Sequence, residues 1–180
     1  MSRQCREFML AAALAMALPL PAFAAGDSGS DGKSKTCENG KVWDNRQNKC
    51  VPPRSGALDD DNIYEAGRDL AYAGRYDEAI NVLSLASDRN DKRILNFLGY
   101  AHRKDGRLEV GIGYYRQAIE IDPSYSLVRE YYGEALLMKG DLEGARAELA
   151  TIETICGSRT CEEYEDLSEE IAAFEKARGG

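Results

Sequence analysis

Apolar and small residues recur in this chain at helical spacing, and the pattern repeats along the sequence. Each copy places four residues, most of them apolar or small, at i, i+3, i+4 and i+7, which share one face of a helix. The copies of that face are Ile63, Ala66, Gly67 and Leu70; Leu95, Leu98, Gly99 and His102; and Arg129, Tyr132, Gly133 and Leu136. From glycine to glycine the spacing is 32 and then 34 residues. A self-similarity of that period predicts stacked helical hairpins.

A second apolar stripe follows each of these helices after a short glycine-containing turn. The stripes are Tyr76, Ala79, Ile80, Leu83 and Ala86; Leu108, Ile112, Tyr115, Ala118 and Ile119; and Leu142, Ala145, Leu149 and Ile152. The glycine within each first helix costs about 1 kcal/mol of helix propensity relative to alanine. Its recurrence in one register indicates that a neighbouring helix packs closely there.

The three copies resemble the tetratricopeptide repeat family, whose pattern joins Leu-Gly, an aromatic residue, a Gly-x-(aromatic or Leu)-x-x-Ala turn and a closing proline. The copies are NFLGYAHRKDGRLEVGIGYYRQAIEIDP (96–123), EYYGEALLMKGDLEGARAEL (130–149) and YEAGRDLAYAGRYDEAINVLSLA (64–86). The resemblance implies an all-α, right-handed α-solenoid of three hairpins, at 60–91, 92–125 and 126–157. Three features depart from the family pattern: the first copy is two residues short before Lys92, Gly111 replaces an alanine, and proline closes only the second copy.

The resemblance also implies a binding surface, because the first helices of successive tetratricopeptide hairpins line a concave groove. The candidate contacts are Tyr64, Arg68, Tyr72, Asn96, Tyr100, Arg103, Lys104, Glu130 and Glu134. They form an aromatic and basic patch over two repeats and, with Leu137 and Met138, an acidic and apolar patch on the third. Tyrosine and arginine often anchor interfaces, so the pattern suits an extended peptide of mixed charge. Ordinary solvated helix faces are the alternative interpretation.

Residues 158–180 predict a capping helix, which a repeat stack needs in order to cover its last apolar face. Its apolar stripe is Tyr164, Leu167, Ile171 and Phe174. Thr160 and Glu163 match a capping box at its start. The remaining positions are largely acidic, which favours a solvated outer face.

The first 24 residues have the organisation of a secretory signal. Arg3 and Arg6 precede an apolar run, and Ala22-Phe23-Ala24 supplies small residues for cleavage. We expect cleavage after Ala24, a periplasmic protein without membrane insertion, and a disordered linker over 25–36. An uncleaved anchor is the alternative, but an apolar run of about 12 residues is short against the ~20 needed to span a bilayer.

Four cysteines remain after the signal, and they allow three pairings. We favour two local disulfides, Cys37–Cys50 within a loop at 37–53 and Cys156–Cys161 after the last repeat. Closing the first loop removes about 3 kcal/mol of unfolded-chain entropy. A second linker, 54–59, then leads to the repeats, and its flexibility makes the loop a tethered element.

Two functional alternatives concern these cysteine-bearing segments. The spacing C-x-x-G-x-V-W-D-x(5)-C resembles one segment of peritrophin-like carbohydrate-binding modules, which implies a cell-wall or glycan contact through Trp43. The other interpretation packs Trp43 on its own loop or on the repeats. Cys156 and Cys161 could instead act as a thiol-redox pair or bind a metal, although a redox pair usually reads C-x-x-C and zinc would need histidine ligands.

The net charge and the available side chains argue against several classes of function. A formal charge of −8 argues against a general nucleic-acid binder and against docking on anionic lipid. The single histidine, His102, falls on a packed helix face, where we expect it to be buried and hydrogen-bonded. We therefore expect no catalytic residue, no metal site and no cofactor, and predict a non-enzymatic adaptor or assembly scaffold with a protein or peptide partner. Three repeats are near the minimum for a stable stack, so self-association is a further expectation.

Overall fold

The computed structural model describes Cys37, residues 41–53 and residues 58–179 of the 180-residue chain. The predicted signal, 1–24, and the predicted linker, 25–36, lie outside the described residues. The elements are β1 (Val42–Asp44), β2 (Lys49–Val51), α1 (Asp60–Tyr72), α2 (Tyr76–Leu83), α3 (Lys92–Lys104), α4 (Leu108–Ile121), α5 (Ser126–Met138), α6 (Leu142–Cys156) and α7 (Glu162–Gly179). The predicted all-α repeat solenoid is confirmed, with β1 and β2 as a small antiparallel hairpin ahead of it.

Three helical hairpins stack in sequence order. Each pairs a first helix with a second one, as α1 with α2, α3 with α4 and α5 with α6, and α7 packs on the last pair. Gly74, Gly106 and Gly140 close the three turns with φ of 73°, 81° and 82°. Glycine adopts this left-handed backbone without a Cβ clash, which explains its recurrence at the turns. Among the described residues, no helix combines the length and apolar character needed to cross a membrane.

The second hairpin brings two helix backbones into direct contact. A Cβ at Gly111 would lie 2.7 Å from the carbonyl oxygen of Gly99 and 3.1 Å from the backbone nitrogen of Arg103. A Cβ at Gly99 would lie 2.6 Å from Cε1 of Tyr115. There is therefore no room at position 111 for the alanine that the repeat pattern places there. The departure from that pattern follows from how closely α3 and α4 approach.

The core follows the predicted stripes and extends beyond them. Ile63, Leu70, Leu83, Ile112, Ile152 and Leu167 are all nearly or fully buried, as expected from the spacing. Phe97, Ala101, Val128 and Ala135 are also fully buried, although they lie off the predicted packed faces. A first helix inside a stack contacts its own partner on one side and the neighbouring hairpins on others. For this reason α3 and α5 bury more than one stripe.

The N-terminal disulfide hairpin is docked on α1. Val42 is fully buried and belongs to the same apolar cluster as Leu58 and Ile63. The backbone nitrogen of Asn45 donates to Oδ1 of Asn62 at 3.3 Å, and Nη2 of Arg46 lies 3.0 Å from Oδ2 of Asp59. The loop is therefore part of the folded unit from residue 41 onwards.

The end of the predicted second linker belongs to the fold. Leu58 is 8% exposed and sits in the core. Asp59 caps α1, because its side chain accepts from the backbone nitrogen of Asn62 at 2.9 Å. The aspartates after it have other roles: Asp60 accepts from the backbone nitrogens of Ser87 and Asp88. These bonds hold the segment after Leu83 in place, because α2 ends earlier than the second helices of the other two hairpins.

The predicted capping box at α7 is wrong. Glu163 accepts a hydrogen bond from the hydroxyl of Ser126 on α5 at 2.9 Å, and Thr160 contacts Ser158. Helix α7 starts instead from backbone bonds, in which the nitrogens of Tyr164 and Glu165 donate to the carbonyl of Cys161. Glu163 thus ties the capping helix to the last repeat. The predicted stripe of α7 does pack inward, since Leu167 and Ile171 are buried.

The contact between α3 and α4 generates a test with a matched control on the same helix. Gly111→Ala should lower the free energy of unfolding by about 1–3 kcal/mol, because the new Cβ overlaps backbone that cannot rotate away. Gly113→Ala should raise it by up to ~1 kcal/mol, since a Cβ there meets nothing within 4 Å and only helix propensity changes. Urea unfolding of both variants measures the difference. Equal stabilities of the two variants would contradict the contact.

Candidate partner-binding groove

The first helices of the three hairpins share a concave face. The hydroxyl of Tyr72 on α1 lies 3.0 Å from the hydroxyl of Tyr131 on α5, so the two bond across α3. Between them, the ring of Tyr100 on α3 lies 5.7 Å from Tyr72 and 5.1 Å from Tyr131. Side chains of two non-neighbouring helices meet in this way only where the shared face curves inward. We call this face the groove.

Aromatic side chains fill the middle of the groove. Phe97 is fully buried and lies at the centre of four rings, 5.7 Å from Tyr64, 5.4 Å from Tyr72, 6.0 Å from Tyr100 and 6.4 Å from Tyr131. Three of the four pairs are edge-to-face, an arrangement that ring quadrupoles favour. Sequence reasoning selected three of these tyrosines but missed Phe97 and Tyr131. Their signal was an aromatic residue two positions before the repeat glycines, Gly99 and Gly133.

Arg103 is a structural residue, contrary to the prediction that it is an accessible groove contact. Its side chain is 3% exposed. Nε donates to the Tyr115 hydroxyl at 3.1 Å, and Nη1 donates to Oε2 of Glu134 at 2.5 Å. The guanidinium also lies over the rings of Tyr100 and Tyr131, 5.5 Å and 5.7 Å from their centroids. It therefore links α3, α4 and α5, and the pair with Glu134 offsets the cost of burying its charge.

Arg68, the other arginine of the predicted basic patch, is also paired within the chain, and so is Arg93, which the prediction did not include. Arg68 contacts Asp69 at 2.9 Å, and Arg93 contacts both Asp61 and Asp91, at 2.8 Å and 2.6 Å. Lys104 is different: it is exposed and lies over the Tyr100 ring, with its ammonium 5.6 Å from the centroid. Most of the positive charge expected over the first two repeats is therefore neutralised by ion pairs within the chain.

Two further candidates, Asn96 and Glu130, are buried rather than presented to solvent. Asn96 is fully buried, close to Tyr125 of the next hairpin. Glu130 is 5% exposed. The geometry of single helices placed both on an open face, but the packing of successive first helices and of α7 covers them. Glu134 is half-buried, as are Tyr64, Arg68 and Tyr100.

An open cleft lies where α3, α5 and α7 meet. Its volume is about 540 Å³, and it is lined by Arg103, Lys104, Glu134, Leu137, Met138, Glu170 and Phe174. Apolar side chains from α5 and α7 form one part of the wall, and charges of both signs form the rest. Glu170 and Phe174 come from the capping helix, so this helix contributes to the groove as well as covering the last repeat. Sequence reasoning assigned Phe174 only to packing and did not select Glu170.

The groove holds two of the four large apolar side chains that are exposed among the described residues. Among the described residues, the most exposed large apolar side chains are Met138 at 57% and Tyr72 at 55%, and both lie at the C-terminal ends of first helices. Val110 and Ile121, 46% and 45% exposed, lie on the second helix α4. A flexible methionine beside an aromatic row is a surface that adapts to different ligand side chains.

The cysteine-bearing segments are closed by disulfides. Cys37 pairs with Cys50 and Cys156 with Cys161, the two local bonds that the spacing favours. Glu163 lies close enough to Cys156 and Cys161 for all three to surround an ion, but a disulfide leaves neither sulfur as the thiolate that metal binding or redox attack requires. Trp43 lies in β1 opposite Cys50 and is half-buried, with its indole nitrogen buried. This placement favours a packing role over an open glycan platform.

His102 stacks on Tyr114, with ring centroids 5.5 Å apart and planes 15° apart. Burial, together with Arg107, lowers the pKa of His102, so the ring is neutral at pH 7. The expected hydrogen bond is absent at Nδ1, which is buried without a partner in the part of the chain that the structure describes. His102 thus acts as a flat packing surface between α3 and α4.

Comparison with known proteins agrees with this geometry. Two family models, both described as tetratricopeptide repeat, match residues 64–126 and 114–147. No curated protein sequence matches the chain. Solved structures of similar fold include the type III secretion translocator chaperone SycD of Yersinia enterocolitica, with a TM-score of 0.57 and 20% identity over 67% of this chain and 86% of that one.

Two further similar structures contain bound peptides. The same Yersinia enterocolitica chaperone in complex with a peptide of the translocator YopD has a TM-score of 0.54 and 23% identity, covering 65% of this chain and 89% of that one. The first tetratricopeptide domain of Spaghetti (RPAP3), bound to the HSP90 peptide SRMEEVD, has a TM-score of 0.57 and 18% identity, covering 67% and 94%. At identities of 18% to 23%, the similarity to these structures concerns the fold alone.

The buried pair of Arg103 and Glu134 generates a stability test. Glu134→Gln leaves the guanidinium buried without a countercharge, and we expect it to lower the free energy of unfolding by about 3 kcal/mol. Glu143→Gln is the matched control, because Glu143 pairs with Arg146 at 2.7 Å but is 83% exposed. Exposed pairs contribute little, so the urea midpoint of the control should stay near that of the wild type. A similar loss in both variants would contradict the structural role of Arg103.

Proposed function

We propose that this chain, which belongs to the tetratricopeptide repeat family, binds a protein or peptide partner through its groove and acts as an adaptor or assembly scaffold. One observation carries the proposal: the two most exposed large apolar side chains among the described residues, Tyr72 and Met138, both lie in the groove. Apolar surface that a folded chain leaves open on a concave face is typical of an interaction site.

The chemistry of the cleft supports a peptide as ligand. Leu137, Met138 and Phe174 offer apolar contact, while Lys104 and Glu170 offer one charge of each sign. An extended peptide can place an apolar side chain between the aliphatic walls and use its polar groups at the rim. The peptide complexes of the Yersinia chaperone and of the Spaghetti domain show that two proteins of similar fold hold peptides.

The proposal is non-enzymatic. Of the residues that the groove presents, Arg103 and Glu134 are committed to each other, and Lys104 lies over an aromatic ring. None of these contacts prepares a nucleophile or a general base, which would need a hydrogen-bonded partner positioned at a substrate. Recognition, rather than catalysis, is what this arrangement supports.

We further propose that the protein works in the periplasm. The signal-like organisation of residues 1–24 would direct export, and two disulfides in so short a chain suit an oxidising compartment. The overall charge of −8 keeps such a protein soluble and away from anionic membrane surfaces.

Site-specific photocrosslinking in living cells tests the groove. A benzoylphenylalanine introduced at Met138, and in a second variant at Tyr72, should give a crosslinked adduct with a partner. The same group at Val110 or Ile121 is the matched control, since these side chains are comparably exposed but lie on α4. Adducts that form equally from α4, or only from α4, would contradict the groove as the binding surface.

Mass spectrometry of the protein purified without reductant tests export. We expect an intact mass that begins at Ala25 and no thiol that reacts with iodoacetamide, because Cys5 leaves with the signal and the other four cysteines are paired. Fractionation should recover this species with periplasmic markers. A chain that retains residues 1–24 together with free thiols would contradict the periplasmic assignment.

A further inference from the structure

Arg103 has more hydrogen-bond donors than the surrounding side chains satisfy. A guanidinium carries five N–H groups, and this one is almost completely buried. Its Nε donates to the Tyr115 hydroxyl, and its Nη1 donates to Oε2 of Glu134. Its Nη2 is buried and, among the described residues, has no acceptor. Because a buried donor without an acceptor costs stability, an oxygen atom placed beside this guanidinium would form a favourable hydrogen bond.

The sulfur of Met138 lies next to these donors. Its Sδ is 4.0 Å from Nη1 of Arg103, and both residues line the cleft where α3, α5 and α7 meet. A thioether sulfur is a weak acceptor, so this contact does little to satisfy the guanidinium. The methionine side chain is 57% exposed. An accessible sulfur therefore lies beside a buried group that lacks acceptors.

Met138 is also the one sulfur of the mature chain that a mild oxidant can still modify. The sequence has four methionines, and Met1, Met9 and Met16 all precede Ala25, where we expect the mature protein to begin. The four cysteines that remain are joined in two disulfides. A two-electron oxidant such as hydrogen peroxide therefore has a single sulfur target in this protein.

We propose that Met138 is an oxidation site, and that its sulfoxide bonds to Arg103 and weakens peptide binding in the cleft. The effect on binding rests on the peptide-binding function proposed above. In the reaction, the thioether sulfur attacks one oxygen of hydrogen peroxide, so that an S–O bond forms and the O–O bond breaks. Sulfur is oxidised by two electrons, and the departing hydroxide takes the proton of the transferred oxygen and leaves as water. Methionine sulfoxide reductases reverse this oxidation.

Oxidation changes two properties of the side chain that matter in this cleft. The new oxygen is a strong acceptor on the atom that lies beside Arg103, and a hydrogen bond from a charged donor is stronger than one from a neutral donor. At the same time, a flexible apolar side chain that adapts to ligands becomes polar. Leu137 and Phe174 remain as apolar lining of the cleft, but its most exposed apolar side chain is lost.

Urea unfolding without any ligand tests the bond to Arg103. The mature protein is treated with hydrogen peroxide, and oxidation is verified as a gain of about 16 Da, one oxygen atom, in the tryptic peptide that spans 130–139. We expect the urea midpoint to rise on oxidation, because a buried donor gains an acceptor. Met138→Gln should raise the midpoint without peroxide, since its amide oxygen is attached at the position of the sulfur.

A relocated methionine is the matched control. In the double variant Met138→Leu/Ile121→Met, the only methionine of the mature chain lies on α4, at a position where the native side chain is 45% exposed. Its oxidation should leave the urea midpoint unchanged. A midpoint of the wild type that falls or stays the same on oxidation would overturn the inference, and so would an equal rise in the control.

Peptide retention tests the effect on binding. Heptapeptide pools with a fixed central leucine or asparagine within randomised flanks are passed over the immobilised mature protein, and retained peptide is quantified by mass spectrometry. The reduced wild type should retain more of the leucine pool than of the asparagine pool. Oxidation should lower retention of the leucine pool by roughly fivefold to tenfold, as expected when one or two methylene-sized groups are no longer buried in an apolar contact. Met138→Leu should retain the leucine pool equally before and after peroxide.

The outcomes distinguish failure of the oxidation site from failure of peptide binding. Equal retention of the leucine pool by the reduced and the oxidised wild type, or an equal loss in Met138→Leu, overturns the control of binding by oxidation while leaving peptide binding intact. Retention of neither pool by the reduced protein overturns peptide binding and its control by oxidation together. The urea midpoints then decide whether the sulfoxide bonds to Arg103.

Discussion

The close approach of α3 and α4 is the contact on which the groove depends. Because Gly99 lacks a Cβ, the ring of Tyr115 can lie against the α3 backbone. This position lets the Tyr115 hydroxyl accept a hydrogen bond from Arg103, and Arg103 in turn holds Glu134 on the next hairpin. The missing Cβ at Gly99 thus permits the contacts that hold the second and third hairpins together. The guanidinium of Arg103 also lies over the rings of Tyr100 and Tyr131.

The charge of the groove is decided by pairing, and composition alone is a poor guide to it. The first two repeats are rich in arginine, but neighbouring aspartates neutralise Arg68 and Arg93. On the third repeat Glu130 is buried, and burial together with nearby carboxylates raises its pKa to about 8. A ligand therefore meets only the charge that remains after these internal pairs have formed.

The fold was predictable from the sequence because periodicity reports directly on packing. The recurring glycines and apolar stripes located the hairpins, and the cysteine spacing favoured the two disulfides that the structure contains. The groove was only partly predictable. A helical wheel separates the packed face of one helix from its open face, but it does not include the next hairpin. It therefore placed Asn96, Arg103 and Glu130 in solvent, whereas packing across hairpins buries all three. Phe174 and Glu170 were missed because the capping helix adds a wall that single-helix geometry does not contain.

Both disulfides lie at the ends of the helical array, one in the hairpin docked on α1 and one at the junction between α6 and α7. An array in which most contacts join neighbouring units begins to fray at its terminal units, since these have one neighbour instead of two. The covalent links therefore stand where local opening starts, while the middle hairpin is held by contacts on both sides. Reduction would then loosen the structure from its ends inward, and the terminal elements, rather than the central repeat, would set its resistance to proteases.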